Sequence, residues 1–222
     1  MVNQLKGRRF ENDWTAEEFE DIYSDITQAV TVPVNIKVKM EQRVLDLGSM
    51  EEILREADII VLQDCGCRSI RGNCDGPLAV HINLDDVGDQ MLESGDYNPR
   101  RVPLEEALKA LRVSHEAGLV HLAYTMEGDA TPKLICSCCP CCCHTLSGLL
   151  RFGVAKHVLK SDMTSATDAD ACTDCGVCAE RCHFGARKMI EGAMVYNADQ
   201  CFGCGLCVST CQANAITLAK KG

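Results

Sequence analysis

Aromatic residues make up only 5% of the 222-residue chain, and Trp14 is the single tryptophan. Little of the core can therefore rest on ring packing. No apolar run approaches the roughly 20 residues that a membrane-spanning helix needs. The first residues, Met1 to Arg9, are polar and basic and are followed by acids. With no apolar h-region there, a cytoplasmic chain is expected, and the oxidising compartment that a disulfide framework needs is missing. Basic residues are scarce: residues 1–130 hold 13 Lys and Arg against 25 Asp and Glu, and the chain carries a net charge of −10. That balance argues against nucleic acid, which needs a basic stripe. There is no Walker loop and no G-x-G-x-x-G, so nucleotide binding has no support. C-x2-C-H, the haem attachment motif, is absent, as is the C-x3-C-x2-C of radical S-adenosylmethionine enzymes.

Cysteine is what the chain has in excess. There are 17, and a hydrophobic fraction of 46% excludes global disorder. At such density inside a cell, cysteine binds metal or does redox work, and an odd number cannot pair fully within one chain. The cysteines form three groups: Cys65, Cys67 and Cys74; then Cys136, Cys138, Cys139, Cys141, Cys142 and Cys143; then Cys172, Cys175, Cys178, Cys182, Cys201, Cys204, Cys207 and Cys211. Residues 131–159 hold Lys133, Arg151 and Lys156 and no acid. That local positive charge favours thiolates in the middle group. Residues 161–168, small and polar, read as a linker between the second and third groups.

The expected fold class is α+β: an α/β cysteine-rich domain over 1–160, then a small cluster-binding domain over 168–222. Thr15 to Glu18 is a capping box opening a helix to about Ala29, and Ser49 to Glu52 is a second, for a helix ending near Ala57. Alternation over Val34 to Met40 predicts a half-buried strand. Further strands are expected over Ile59–Leu62, Leu78–Leu84, Leu119–Tyr124 and Leu134–Ile135. A helix is expected from Pro103 to Ala117, with Gly118 at its end. A last helical segment runs from about Cys141 to Phe152, with Pro140 at its start and the thiols of Cys141, Cys142 and Cys143 near its positive end.

Cys172 to Cys182 reads C-x2-C-x2-C-x3-C, and Cys201 to Cys211 repeats it with the glycines Gly176 and Gly205 at matching places. Such a run wraps three corners of an iron–sulfur cube and sends its fourth cysteine to another. Zinc knuckles pair C-x2-C motifs and fit poorly. These residues resemble the bacterial two-cluster [4Fe–4S] ferredoxin domain over about 168–219. The resemblance implies one cluster on Cys172, Cys175, Cys178 and Cys211, and another on Cys201, Cys204, Cys207 and Cys182. The family usually has Pro after each fourth cysteine, where this chain has His183 and Gln212. His183 reads as a surface residue or as a hydrogen-bond donor that tunes a cluster.

Nine cysteines remain: Cys65, Cys67, Cys74, Cys136, Cys138, Cys139, Cys141, Cys142 and Cys143. Neighbours on a strand point to opposite faces, so six thiols in eight positions cannot all aim at one metal. Three readings stand: a third iron–sulfur cluster, a structural zinc in its place, or buried and redox-active thiols. His81 and His144 are candidate fourth ligands. The whole chain is similar to a loosely defined group of anaerobe iron–sulfur proteins. The similarity rests on Cys65-Gly66-Cys67-Arg68, Cys74-Asp75-Gly76-Pro77, Gly118-Leu119-Val120-His121 and the 136–143 run. It implies a distinct cysteine-bearing front domain with His121 a candidate for its site.

The function expected is a cytoplasmic electron carrier, or the electron-transfer subunit of an anaerobic redox complex. Its partner would be a redox protein or a larger oxidoreductase. One alternative is a reductase whose front cluster is fed by the tail, with Arg68, Arg71 and His121 handling substrate or protons; the other is a metal-handling protein. Catalytic residues stay unassigned.

Overall fold

The structure, a computed structural model, describes residues 10–19, 21, 40–126, 129–154 and 158–221. Helix and strand are mixed, as an α+β protein requires. Six strands form one sheet: β1 (Met40–Leu45), β2 (Ile60–Asp64), β3 (Ala79–Leu84), β4 (Arg100–Arg101), β5 (Val120–Met126) and β6 (Leu134–Cys138). Their order is β1-β5-β6-β3-β2-β4. Every pairing in it is antiparallel. The α/β reading of the front is thereby corrected to α+β. The connection from β5 to β6 spans only 127–133, too short for the crossover that parallel neighbours need.

The period of two divides the sheet into unlike faces. Ile60, Leu62, Ile82, Leu84, Ala123 and Ile135 point to one face and pack beneath α1 (Leu47–Glu56) and α4 (Leu104–Glu116). Met50, Leu54 and Leu111 fill that layer and are essentially fully buried. Val44, Val120, Leu122, Tyr124 and Cys138 point to the other face and meet Phe19, Leu146 and Leu206. The remaining front helices are α2 (Gly66–Arg71), α3 (Asp85–Ser94) and α5 (His144–Ser147), which runs into a π-helical turn over Gly148–Phe152.

Most expected elements are present, with informative shifts. Thr15 and Glu18 form the reciprocal capping box: Glu18 N–H donates to Thr15 Oγ1 at 3.1 Å and Thr15 N–H to Glu18 Oε2 at 2.8 Å. Residue 20 and residues 22–29 of that expected helix lie outside the described residues, as does the Val34–Met40 strand before Met40. The cap of α1 is Asp46, not Ser49. Its Oδ1 accepts from the N–H groups of Gly48 and Ser49 at 3.0 and 3.2 Å, while Ser49 Oγ donates to Oδ2 at 2.6 Å. A carboxylate takes two orphan amides, so the helix starts three residues early, at Leu47.

Residues 161–168 are not a linker. Met163–Thr167 form β7, which pairs antiparallel with β10 (Ile216–Lys220). Their small polar side chains suit a strand in which Ser165 is turned inward and buried. Between them lie α6 (Val177–Arg181) and the hairpin of β8 (Arg187–Ile190) and β9 (Ala193–Tyr196). This tail is tied to the front through the end of α4. Arg181 donates to the carbonyls of His115 and Glu116, and His183 Nε2 donates to Gly118 O at 2.8 Å. His183 is thus not a free surface residue.

Gly203 shows how closely the tail's loops approach. Its φ is +72°, and a Cβ there would lie 2.3 Å from Met163 O and 2.8 Å from Ser161 Cβ. Gly192, at φ +85°, has nothing within 4 Å of its virtual Cβ. Gly203→Ala is expected to destabilise by about 2 kcal/mol or more, and Gly192→Ala by about 1 kcal/mol or less. Thermal midpoints of the two variants under anaerobic conditions measure the difference.

Candidate metal centres

The front thiols are placed by β6 and the turn that follows it. Cys136 and Cys138 point to the same face of the sheet, the one His81 of β3 also occupies. Cys136 Sγ lies 3.5 Å from His81 Nδ1. After Cys138 the chain leaves the ladder, turns through residues 140–142 and enters α5 at His144. The helix therefore does not begin at Pro140: Cys143 is its N-cap, its Sγ accepting from Leu146 N–H. A helix over 141–143 would fan its thiols around an axis, whereas the turn lets Cys141 and Cys142 converge with Cys139.

A buried turn has carbonyls that no strand satisfies, and side chains supply the donors. Trp14 Nε1 donates to Cys142 O, Asn73 Nδ2 to Cys141 O and Arg68 Nη2 to Ser137 O, each at 3.0 Å, and Ser147 Oγ donates to Pro140 O at 2.8 Å. Arg68 is 2% exposed. Its other nitrogen reaches Pro77 O at 2.6 Å, and Nη2 also points at Cys139 Sγ from 3.6 Å.

Two groupings result. Cys74, Cys139, Cys141 and Cys142 are all buried, with sulfurs within 4.8 Å of one another, a set able to hold a metal ion. Cys74 Sγ lies 3.7 Å from Cys139 Sγ and 3.9 Å from Cys142 Sγ. Hydrogen bonds from Cys141, Cys142 and Cys74, with the charge of Arg68, hold the Cys139 thiol far below its ordinary range. The second grouping is a set of pairwise contacts. Cys67 Sγ sits 3.4 Å from His144 Nδ1. Cys143 Sγ is 3.1 Å from Cys138 Sγ, and Cys136 Sγ meets His81. Cys65 joins neither; burial pushes its thiol up to about 12, so it stays neutral.

Arg68, Arg71 and His121 are each engaged by the protein itself. Arg68 is locked among carbonyls and Cys139. Arg71 lies 3.6 Å over the Trp14 ring and pairs with Glu18. His121 is fully buried, with Nδ1 against Ser137 Oγ at 3.2 Å and its ring stacked on His115.

In the tail, one cavity is lined by Cys182, Cys201, Cys204 and Cys207 together with Phe184, Tyr196 and Phe202. Cys178 lies in the field of Cys172 and Cys175. Arg187, buried on β8 beside the cysteine loops, donates to Ser165 Oγ at 2.9 Å and Thr167 Oγ1 at 2.8 Å, and its positive charge draws down the thiols of both Cys178 and Cys207. Sequence reasoning missed Arg187, Asn73 and the part Trp14 plays. No spacing marks them, because each acts across more than one element.

Residues 194–217, which include Cys201, Cys204, Cys207 and Cys211, match the 4Fe–4S binding domain family, which indicates iron–sulfur electron transfer and at least one [4Fe–4S] cluster. No curated protein matches the chain. Among the described residues, no helix is long and apolar enough to cross a membrane.

The stacked histidines give the chain a pH signature. Burial, then the Arg181 charge, presses His115 down to about 4; burial, then His115, presses His121 down to about 3. Both are neutral in the fold, while in the unfolded chain they protonate near the ordinary value of about 6.5. Their contribution is complete above that value and is lost as pH falls from there toward the folded values. Thermal midpoints should fall between about pH 7 and pH 5, and less steeply in His115→Gln/His121→Gln, by scanning calorimetry.

Proposed function

We propose that the chain is a one-electron carrier, or the electron-transfer subunit of a larger oxidoreductase, with two [4Fe–4S] clusters in a domain over 168–222. The ligands would be Cys172, Cys175, Cys178 and Cys211 for one cluster, and Cys201, Cys204, Cys207 and Cys182 for the other. The observation that carries this reading is the cavity whose lining includes Cys182 beside Cys201, Cys204 and Cys207. The first of these comes from the other motif, as crossed ligation requires. When bound, the clusters supply reversible one-electron chemistry. The chain's part is to hold them, to exclude water with Phe184, Phe202 and Leu206, and to set the local charge.

The front domain, over 1–160, adds a metal centre on Cys74, Cys139, Cys141 and Cys142. Sulfurs 2.3 Å from one tetrahedral ion lie about 3.8 Å apart. The contacts at 3.7 and 3.9 Å fit that edge, and a single ion, iron or zinc, fits this quartet better than a third cube. The cytoplasm is its expected location, and the acidic front suits a basic redox partner.

Two outcomes are expected. Anaerobically purified protein should carry about eight acid-labile sulfides, and Cys182→Ser/Cys204→Ser about four; about twelve in the parent would mean a third cube. Arg187 places positive charge at one ligand of each cluster, which favours the reduced, more negative state. Arg187→Gln should therefore lower both reduction potentials in a spectroelectrochemical titration, and unchanged potentials would remove Arg187 from that role.

A further inference from the structure

Cys138 and Cys143 lie outside the Cys74 quartet, and their sulfurs are 3.1 Å apart. Two thiolates on one tetrahedral ion stand about 3.8 Å apart, the spacing that the quartet shows at 3.7 and 3.9 Å. The Cys138–Cys143 pair is too close for that edge. It is only about 1 Å short of the roughly 2.05 Å of a sulfur–sulfur bond. We propose that Cys138 and Cys143 are a redox-active dithiol, a two-electron site that closes to a disulfide and opens again. Its electrons come from and return to the tail clusters, a route that rests on the two-cluster reading above.

The backbone on either side is already fixed for closure. Cys138 ends β6, where it pairs with Val120 of β5. Cys143 N–H donates to Cys139 O at 3.1 Å, and Ser147 N–H donates to Cys143 O at 2.8 Å. The turn between the two cysteines has its carbonyls held by Trp14, Asn73 and Ser147. Cys143 Sγ already points its proton at Cys138 Sγ, and Leu146 N–H donates to Cys143 Sγ at 3.5 Å. Bond formation therefore asks for little more than rotation of two thiols.

Burial decides what can react with the pair. Cys138 is 3% and Cys143 4% exposed, so a bulky substrate or a partner's thiol has no line of attack on either sulfur. Electrons need no such opening. Cys138 and Cys143 belong to one packed apolar cluster with Leu206, and Cys204, Phe184 and Phe202 pack against it. Leu206 lies between Cys204 and Cys207 in the second tail motif. The pair thus shares its apolar layer with the cysteine loop of the tail. On reduction the Cys138–Cys143 bond breaks, taking one electron from each tail cluster, and each sulfur takes up one proton from water. On oxidation two S–H bonds break, the S–S bond forms, two protons return to water and each cluster receives one electron.

Anaerobically purified full chain, oxidised with the thiol-selective azo compound diamide and freed of it, tests this. Reductive titration with dithionite should take about two electrons more in the parent than in Cys138→Ala/Cys143→Ala. Equal uptake overturns the proposal. Alkylation of the unaltered chain during acid unfolding reads the bond directly and guards against misfolding of the variant. The six cysteines from Cys136 to Cys143 lie between Lys133 and Arg151, on one tryptic peptide. That peptide should carry six alkyl groups after dithionite and two fewer after diamide, with fragment ions joining Cys138 to Cys143. Six in both states, or a bond between other cysteines in its place, overturns the pair. In Cys182→Ser/Cys204→Ser, dithionite should open the bond several-fold more slowly, and an unchanged rate overturns the route through the tail. Lack of acid-labile sulfide in the parent would instead overturn the two-cluster reading, while the alkylation count would still decide the pair.

Discussion

The arrangement of the front half depends on the period of two in β6. Because Cys136 and Cys138 share a face with His81, while Ile135 points to the α1 and α4 layer, one strand serves a hydrocarbon core and a thiol site together. A slip of one residue would exchange the two sets. The antiparallel pairings with β5 and β3 hold that register. The turn beyond Cys138 then has to satisfy buried carbonyls, and Trp14, Asn73 and Ser147 do so from three separate parts of the chain. The turn is therefore as much a product of the surrounding fold as of its own sequence.

Arg68 and Arg187 are related solutions to one electrostatic problem. Thiolates gathered in a protein interior repel one another, and a buried guanidinium offsets that repulsion while satisfying carbonyls or hydroxyls with its remaining donors. Arg68 does this beside Cys139, and Arg187 between the cysteines of the two tail motifs. Each is almost wholly buried, which strengthens its field at the sulfurs. The tail and the front also meet through charged and polar groups: Arg181 and His183 cap the carbonyls at the end of α4, and His115 Nε2 lies 2.9 Å from Ser209 Oγ in the second cysteine motif.

Much of the fold was legible in local pattern. The helix after Pro103, the strands around Ile60, Ala79 and Val120, and the Thr15–Glu18 cap all follow from apolar period and capping chemistry, which neighbours in sequence determine. The misreadings share one cause. Met163 to Thr167 resemble a linker because small polar residues become a strand only when β10 lies beside them. Asp46 displaced Ser49 as a cap because a carboxylate at the end of β1 reaches two amides. The α/β reading of the front gave way to an antiparallel sheet because topology follows connection length and packing, not the composition of single strands.

The sequence by itself determined the eight tail cysteines and their doubled spacing, because ligands wrapped by one tight loop must lie at fixed short separations. It also determined that the other nine could not serve one ion. Only the tertiary structure decided which of those nine gather: Cys74 with Cys139, Cys141 and Cys142. Cys74 and Cys139, 65 positions apart in the chain, meet at 3.7 Å because the pairing of β3 with β6 brings their segments together. No local spacing encodes that meeting.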